Sequence, residues 1–292
     1  MDSFTKDRFH GNPAGVIPDA KGLTEEQMQR IARELNNSET AFIFEADSTD
    51  YDVEVRFFAP TTEVPICSHA TIAAHYVRAK EKNLECGTVV QKTKADLLPV
   101  DVVRDENDYS IIMTQGTPAV SAPAGDTVRN RIADALGIAR EEICREYPVA
   151  IASTGHSKVM VLLYSNELLH GLQPDLQKLT EISKQIECNG YYAFTLNPQK
   201  IILVHGRMFA PAIGIAEDPV TGNSNGPLGA YLVHYNILQD ADEPCLDFDI
   251  LQGEAVKRDG IIHVHVEKEH GAPKLVQITG NAVIAFSTEI TI

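Results

Sequence analysis

Basic residues are scarce in this chain: 25 Lys and Arg stand against 41 Asp and Glu, a net charge of −16. That balance argues against nucleic acid and anionic membranes as partners, because both are recruited by positive charge. No apolar run approaches the ~20 residues that a bilayer-spanning helix needs, and no signal-peptide pattern is visible. The five cysteines (67, 86, 144, 188 and 245) are odd in number and scattered, without a CxxC pair. They suggest neither a disulfide scaffold nor a zinc site, and the expected setting is the reduced cytoplasm. Neither a Walker loop nor a GxGxxG is present, so the two nucleotide-binding fingerprints do not apply. What remains is an ordinary globular composition, 43% hydrophobic and 23% charged. A length of 292 residues allows two domains of about 150 residues, each able to hold its own core.

The chain is organised around the stretch from Val64 to Tyr76, a tight polar turn opening into a helix. Ala70, Ile72, Ala73, Ala74, Tyr76, Val77 and Ala79 place small or apolar groups on nearly every face, the mark of a buried helix. Its first-turn amides still need partners, and Ser68 and His69 stand there. Such amides, at the positive end of the helix dipole, suit a carboxylate or phosphate. The plain alternative is that Ser68 caps the helix and His69 is a satisfied core histidine.

A second copy of the arrangement favours function. Arg56-Phe57-Phe58-Ala59-Pro60 is echoed by Arg207-Met208-Phe209-Ala210-Pro211, at an offset of 151 residues (209 minus 58). Downstream of the second copy, the polar run Glu217 to Thr221 again leads into small residues, Gly222 to Ala230. Gly226, Pro227 and Gly229 give this segment poor helix propensity, so packing must impose the helix, with Pro227 acceptable only in the first turn. Two halves follow, each wrapping a sheet around one central helix, with the two helix starts expected to face each other.

In chain order, Met1–Thr5 reads as the tail of a strand cut short at Met1. Gly11-Asn12-Pro13 turns into a strand. Thr24 and Gln27 form a capping box for a helix whose inner face is Met28, Ile31, Ala32 and Leu35, closed by Asn36-Asn37. Glu39 follows as the only charge between that helix and the apolar strand from Ala41 to Phe44, with Ser38 beside it to orient it. A lone Glu at a strand start is by itself an ordinary surface residue. Val53, Val55 and Phe57 alternate with Glu54 and Arg56, and strands are expected at 88–93, 97–103 and 109–114. The Ala-, Pro- and Ser-rich run to Gly125 marks a boundary. Beyond it, helices are expected at 126–136 and 175–186. Strands are expected at 149–153, 158–164, 191–196, 200–205, 245–251, 261–266, 275–279 and 283–286. His263 and His265 share one side of a strand, but no third ligand is expected near them and no metal is assigned.

Four motifs, in order, resemble the PhzF-like family of phenazine-biosynthesis isomerases, which shares its fold with diaminopimelate epimerase. They are Gly11-Asn12-Pro13-Ala14-Gly15, Ser38-Glu39-Thr40-Ala41-Phe42, Cys67-Ser68-His69-Ala70-Thr71 and Glu217-Asp218-Pro219-Val220-Thr221-Gly222. The resemblance implies an α/β (α+β) fold of two similar domains, each a barrel-like, mostly antiparallel sheet around a central helix, with the active site in the cleft between them. It also implies homodimers and no cofactor. The domains are placed at 1–117 plus 281–292, and at 118–280.

By resemblance, Glu39 is the acid/base, His69 its helper, and Asp218 the acid that holds a polar substrate group. The chemistry agrees: moving a proton within a substrate needs one group that both takes and returns it, and a partly buried carboxylate suits that task. Substrate binding is assigned to Asn12, Ser68, Gly222 and Asn223. The last three lie at the two helix starts, whose backbone amides would hold a carboxylate and let an acidic protein bind an acid. The family usually carries Gly where Ser68 stands; a Cβ there crowds the substrate or adds a hydrogen bond. The epimerase relatives use two opposed cysteines, of which Cys67 matches one while Thr221 stands at the other. The expected function is therefore a cofactor-free isomerase acting on a small carboxylate-bearing molecule. The alternatives are a racemase using Cys67 and Glu39 as opposed bases, and a non-catalytic binding protein on the same scaffold.

Overall fold

The computed structural model of the chain describes residues 1–106, 108–197, 202–238 and 243–291. It divides into two compact units, Met1–Thr114 with Thr279–Ile292, and Gln115–Ile278.

The first unit runs β1 (Asp2–Ser3), β2 (Asn12–Ile17), α1 (Glu25–Leu35), β3 (Glu39–Glu45), β4 (Val53–Phe58), β5 (Glu63–Val64), α2 (Ser68–Lys82), β6 (Gly87–Lys92), β7 (Leu97–Asp105) and β8 (Asp108–Thr114). The α1 capping box forms as the sequence predicts: the Gln27 N–H donates to Thr24 Oγ1 at 3.2 Å, and the Thr24 N–H to Gln27 Oε1 at 2.9 Å. Asn36 ends the helix in the left-handed conformation. Strand alternation then sorts the core between two helices. Met28, Ile31 and Ala32 of α1 pack on Phe42 and Phe58, whose rings meet edge to face at 5.4 Å. Ala41, Ile43, Val53, Val55 and Phe57 point the other way, onto Ala70, Ala73 and Ala74 of α2. From Ser68 to Val77 every side chain of α2 is buried, and the helix touches β1, β2, β3, β4, β7 and β8. The sheet therefore curls round it. The small side chains of α2 are what let strands approach from several directions.

The second unit runs β9 (Ala119–Val120), α3 (Asp126–Leu136), β10 (Ala150–Ser153), β11 (Ser157–Leu162), α4 (Asn166–Gly171), α5 (Leu176–Ile186), β12 (Tyr191–Leu196), β13 (Val204–Ala210), β14 (Ile215–Asp218), α6 (Gly222–His234), β15 (Cys245–Gln252), β16 (Gly260–Glu269) and β17 (Ala272–Gly280). Its pairing repeats that of the first unit. β2–β3 is parallel, β3–β4 antiparallel, β4–β6 parallel and β6–β7 antiparallel. β11–β12, β12–β13, β13–β15 and β15–β16 follow the same order of directions. The arginines of the echoed motif keep matching partners too. Arg56 Nε bonds Glu63 on β5 at 2.7 Å, and Arg207 Nε bonds Glu217 on β14 at 2.9 Å. Finally β18 (Ala282–Val283) pairs antiparallel with β1 and completes the first unit's sheet.

The elements depart from expectation at four places. Pro227 is the sixth residue of α6, inside the helix rather than in its first turn. Its ring cannot donate to the Asn223 carbonyl, a cost of ~3 kcal/mol that burial of nearly the whole helix offsets. The strand expected at 283–286 ends at Val283, and Phe286 is exposed. Of the strand expected at 200–205, residues 200 and 201 lie outside the described residues, and pairing starts at Val204. The six-residue α4 is too short to show a periodic face. Its one sequence cue is Ser165, whose Oγ accepts the Leu168 N–H at 3.3 Å.

Candidate active site

Glu39 is the first residue of β3, delivered by the turn that ends α1. α2 begins with Cys67 in the cap position, and Cys67 makes no side-chain cap bond. Ser68 is therefore the first helical residue and buried, not the cap. The fold brings three reactive groups of this unit together. His69 Nε2 lies 3.3 Å from Glu39 Oε2. The Cys67 thiol donates to the same carboxylate oxygen at 3.5 Å and lies 3.4 Å from His69 Nδ1. With the proton on Nε2, the imidazole donates toward Glu39. Only 18% of the Glu39 side chain and 9% of that of His69 is exposed, so the carboxylate is neither a surface group nor sealed off.

Two supports could not be read from spacing. Ser38, expected to orient Glu39, turns its hydroxyl to His69 Nε2 instead, at 3.2 Å. Ser3, 66 residues away in sequence, donates from Oγ to the His69 carbonyl at 2.7 Å and pins the first turn of α2. Asn12 is buried at the start of β2, on the same strand face as Ala14, the cross-strand neighbour of Glu39.

The second unit holds Asp218, Gly222 and Asn223. Asp218 ends β14, is buried, and accepts from the hydroxyl of Thr221, the cap residue of α6. Gly222 and Asn223 are the first two helical residues. The organiser of this corner is Gln252, which sequence reasoning missed. Its Nε2 donates to the Asp218 carbonyl at 2.9 Å and to Thr221 Oγ1 at 3.1 Å. Its Oε1 accepts from the Thr221 N–H at 3.2 Å and from Asn225 Nδ2 at 2.9 Å. It comes from the end of β15, 31 residues beyond Thr221, and no local pattern announces it.

Among the described residues, three groups have metal-ligand atoms within 4.8 Å of one another: Glu39, Cys67 and His69; His170, His205 and Glu254; and Cys245, Asp247 and His265. The last corrects the expectation that His263 and His265 have no third partner. The neighbouring strand β15 supplies it, with His265 Nδ1 2.7 Å and His263 Nε2 3.3 Å from Asp247 Oδ1. In all three groups the acidic residue already serves as hydrogen-bond acceptor to its neighbours.

The sequence matches the PhzC-PhzF family model, described as phenazine biosynthesis-like protein, over residues 1–288. The chain belongs to the PhzC-PhzF family. It is 54% identical to an uncharacterized isomerase of Clostridium acetobutylicum, an alignment covering 100% of this chain and 97% of that one. It is 28% identical to the trans-2,3-dihydro-3-hydroxyanthranilate isomerase of Pseudomonas chlororaphis, covering 97% and 95%. Its fold is similar to the crystal structure of a PhzF-family phenazine biosynthesis protein of Bacillus anthracis, with a TM-score of 0.89, 31% identity and coverage of 100% and 97%. By family the chain is an isomerase, on the two-domain epimerase-like fold expected from its motifs.

Proposed function

We propose that this PhzC-PhzF isomerase moves a proton within a small carboxylate-bearing substrate, with Glu39 taking the proton from one position and returning it at another. The observation that carries the reading is the Glu39–His69 contact of 3.3 Å at the start of a helix buried on every side. Glu39 has one oxygen facing His69 Nε2 and the Cys67 thiol, and its other oxygen is the one that meets the substrate. His69, held by Ser38 and by the Ser3-pinned backbone, steadies the carboxylate as its charge comes and goes. Ser68 and the first amides of α2 hold an anionic group of the substrate, and Asn12 contacts the remainder. In the second unit, Asp218, Gly222 and Asn223 take a polar substrate group. The protein works as a homodimer in the cytoplasm, without a cofactor.

A racemase with Cys67 and Glu39 as opposed bases is disfavoured by their geometry. They are hydrogen-bonded to each other at 3.5 Å, so no substrate carbon fits between them.

The test is solvent deuterium exchange. Wild-type protein is incubated in heavy water with trans-2,3-dihydro-3-hydroxyanthranilate and a panel of other small unsaturated carboxylates. Deuterium entry with double-bond migration is expected, and Glu39→Gln should slow it by roughly 10²–10⁴-fold. Undiminished turnover in Glu39→Gln would remove that residue from the chemistry.

A further inference from the structure

The repeat lets each position of one unit be matched to the other through strand register. In the first unit Phe58 pairs with Thr40, and Thr40 with Gly15. In the second, Phe209 pairs with Tyr191, and Tyr191 with Val159. Since Phe58 and Phe209 are equivalent in the echoed motif, Thr40 matches Tyr191 and Gly15 matches Val159. One residue back on each strand, Glu39 matches Gly190 and Ala14 matches Lys158.

The two cross-strand pairs have exchanged their contents. In the first unit Ala14 is small and Glu39 carries the charge. In the second, Gly190 is bare and Lys158 carries it. The lysine has moved into the space the glycine leaves: a Cβ on Gly190 would lie 2.3 Å from Lys158 Cδ and 2.8 Å from Cε. Alternation along β11 fixes the face. Val159 and Val161 belong to the core under α3 and α5, so Lys158 points to the side of α6, where Tyr192 bonds Asn225. Lys158 is only 8% exposed. Its ammonium has three donors, and among the described residues one of them is used, toward the Ser157 carbonyl at 3.2 Å. Burial pushes the ammonium below the usual lysine range, while Cys188 and Asp218 push it back up. A buried cation with donors to spare costs stability unless something else takes it up.

We propose that Lys158 is the cation of a carboxylate-binding subsite in the second unit, standing where the first unit places its acid/base. This rests on the reading that the substrate carries a carboxylate. It adds a charged anchor to the backbone amides and gives the acidic chain one buried positive group for an anionic ligand. A charge-assisted hydrogen bond from the ammonium to a carboxylate oxygen is stronger than one from a neutral donor and is lost when the ligand is an amide.

The experiment compares anthranilate with its neutral counterpart anthranilamide by calorimetric titration of the full-length protein. Wild-type protein should bind the acid about tenfold or more tightly than the amide, the scale of a charge-assisted hydrogen bond. Lys158→Met and Lys158→Gln should lose that preference, while Glu39→Gln keeps it. Glu39→Gln losing exchange while keeping the preference separates this subsite from the proton carrier. Loss of a buried ammonium should leave Lys158→Met melting no lower than wild type, which excludes a merely structural role. The proposal is overturned if wild-type protein does not favour acid over amide at millimolar concentration, a comparison that needs no variant. It is equally overturned if both Lys158 variants retain the preference.

Discussion

Ser38 shows how a single hydroxyl can matter without touching the chemistry. Its Oγ sits 3.2 Å from His69 Nε2, the nitrogen that also faces Glu39. A neutral hydrogen bond of this kind contributes about 1 kcal/mol, so Ser38→Ala should lower kcat roughly fivefold through a looser imidazole. Ser38→Thr, which keeps the hydroxyl, should restore most of it. Steady-state kinetics on the substrate found by deuterium exchange gives the readout, and an unchanged kcat in Ser38→Ala would remove the serine from the site. Glu39 itself was legible because it is the only charge at a helix-to-strand junction inside a recognisable motif. Its supports were not: Ser3 reaches His69 across 66 residues and Gln252 reaches Thr221 across 31, distances at which only the folded chain has information.

At the scale of elements, α6 is a helix whose sequence argues against it. Gly226, Pro227 and Gly229 lower its propensity, yet it forms because strands close in on it. Gly229 shows the reason. A Cβ there would come within 2.8 Å of both Val264 Cγ1 and Val266 Cγ2 on β16. Gly229→Ala therefore sets a propensity gain of ~1 kcal/mol against overpacking of typically 1–3 kcal/mol. Net destabilisation is expected, read as a lower denaturation midpoint; a stabilised variant would show that β16 yields at no cost. Strong local codes such as the α1 capping box, the Gly137 stop of α3 and the alternation in β4 made their elements readable from sequence. Where tertiary packing overrode local preference, as for Pro227, reading the chain alone went astray. The cross-strand partner of His263 and His265 was hidden for another reason: strand pairing is not written in either strand by itself.

For the molecule as a whole, acid is the informative stress. His75, fully enclosed in α2, bonds Gln91 Oε1 through Nε2 at 2.7 Å. Burial holds its pKa down at about 4, against an ordinary value of 6.5. The unfolded chain thus binds a proton below pH 6.5 that the folded chain refuses until about pH 4. Stability present above the higher value is lost as pH falls between the two, by on the order of 3 kcal/mol from this residue. Urea unfolding of wild type and His75→Gln at neutral pH and near pH 4 should show the gap between them narrowing by that amount; a constant gap would mean His75 does not drive the acid sensitivity. The last consequence comes from β18, which lies beside β1 although the whole second unit separates them in sequence. The Phe4 N–H reaches the Asn281 carbonyl at 2.7 Å at the same seam. Translation delivers β1 before the second unit and β18 after it, so the second unit is free to mature while its elder sibling still waits for a strand.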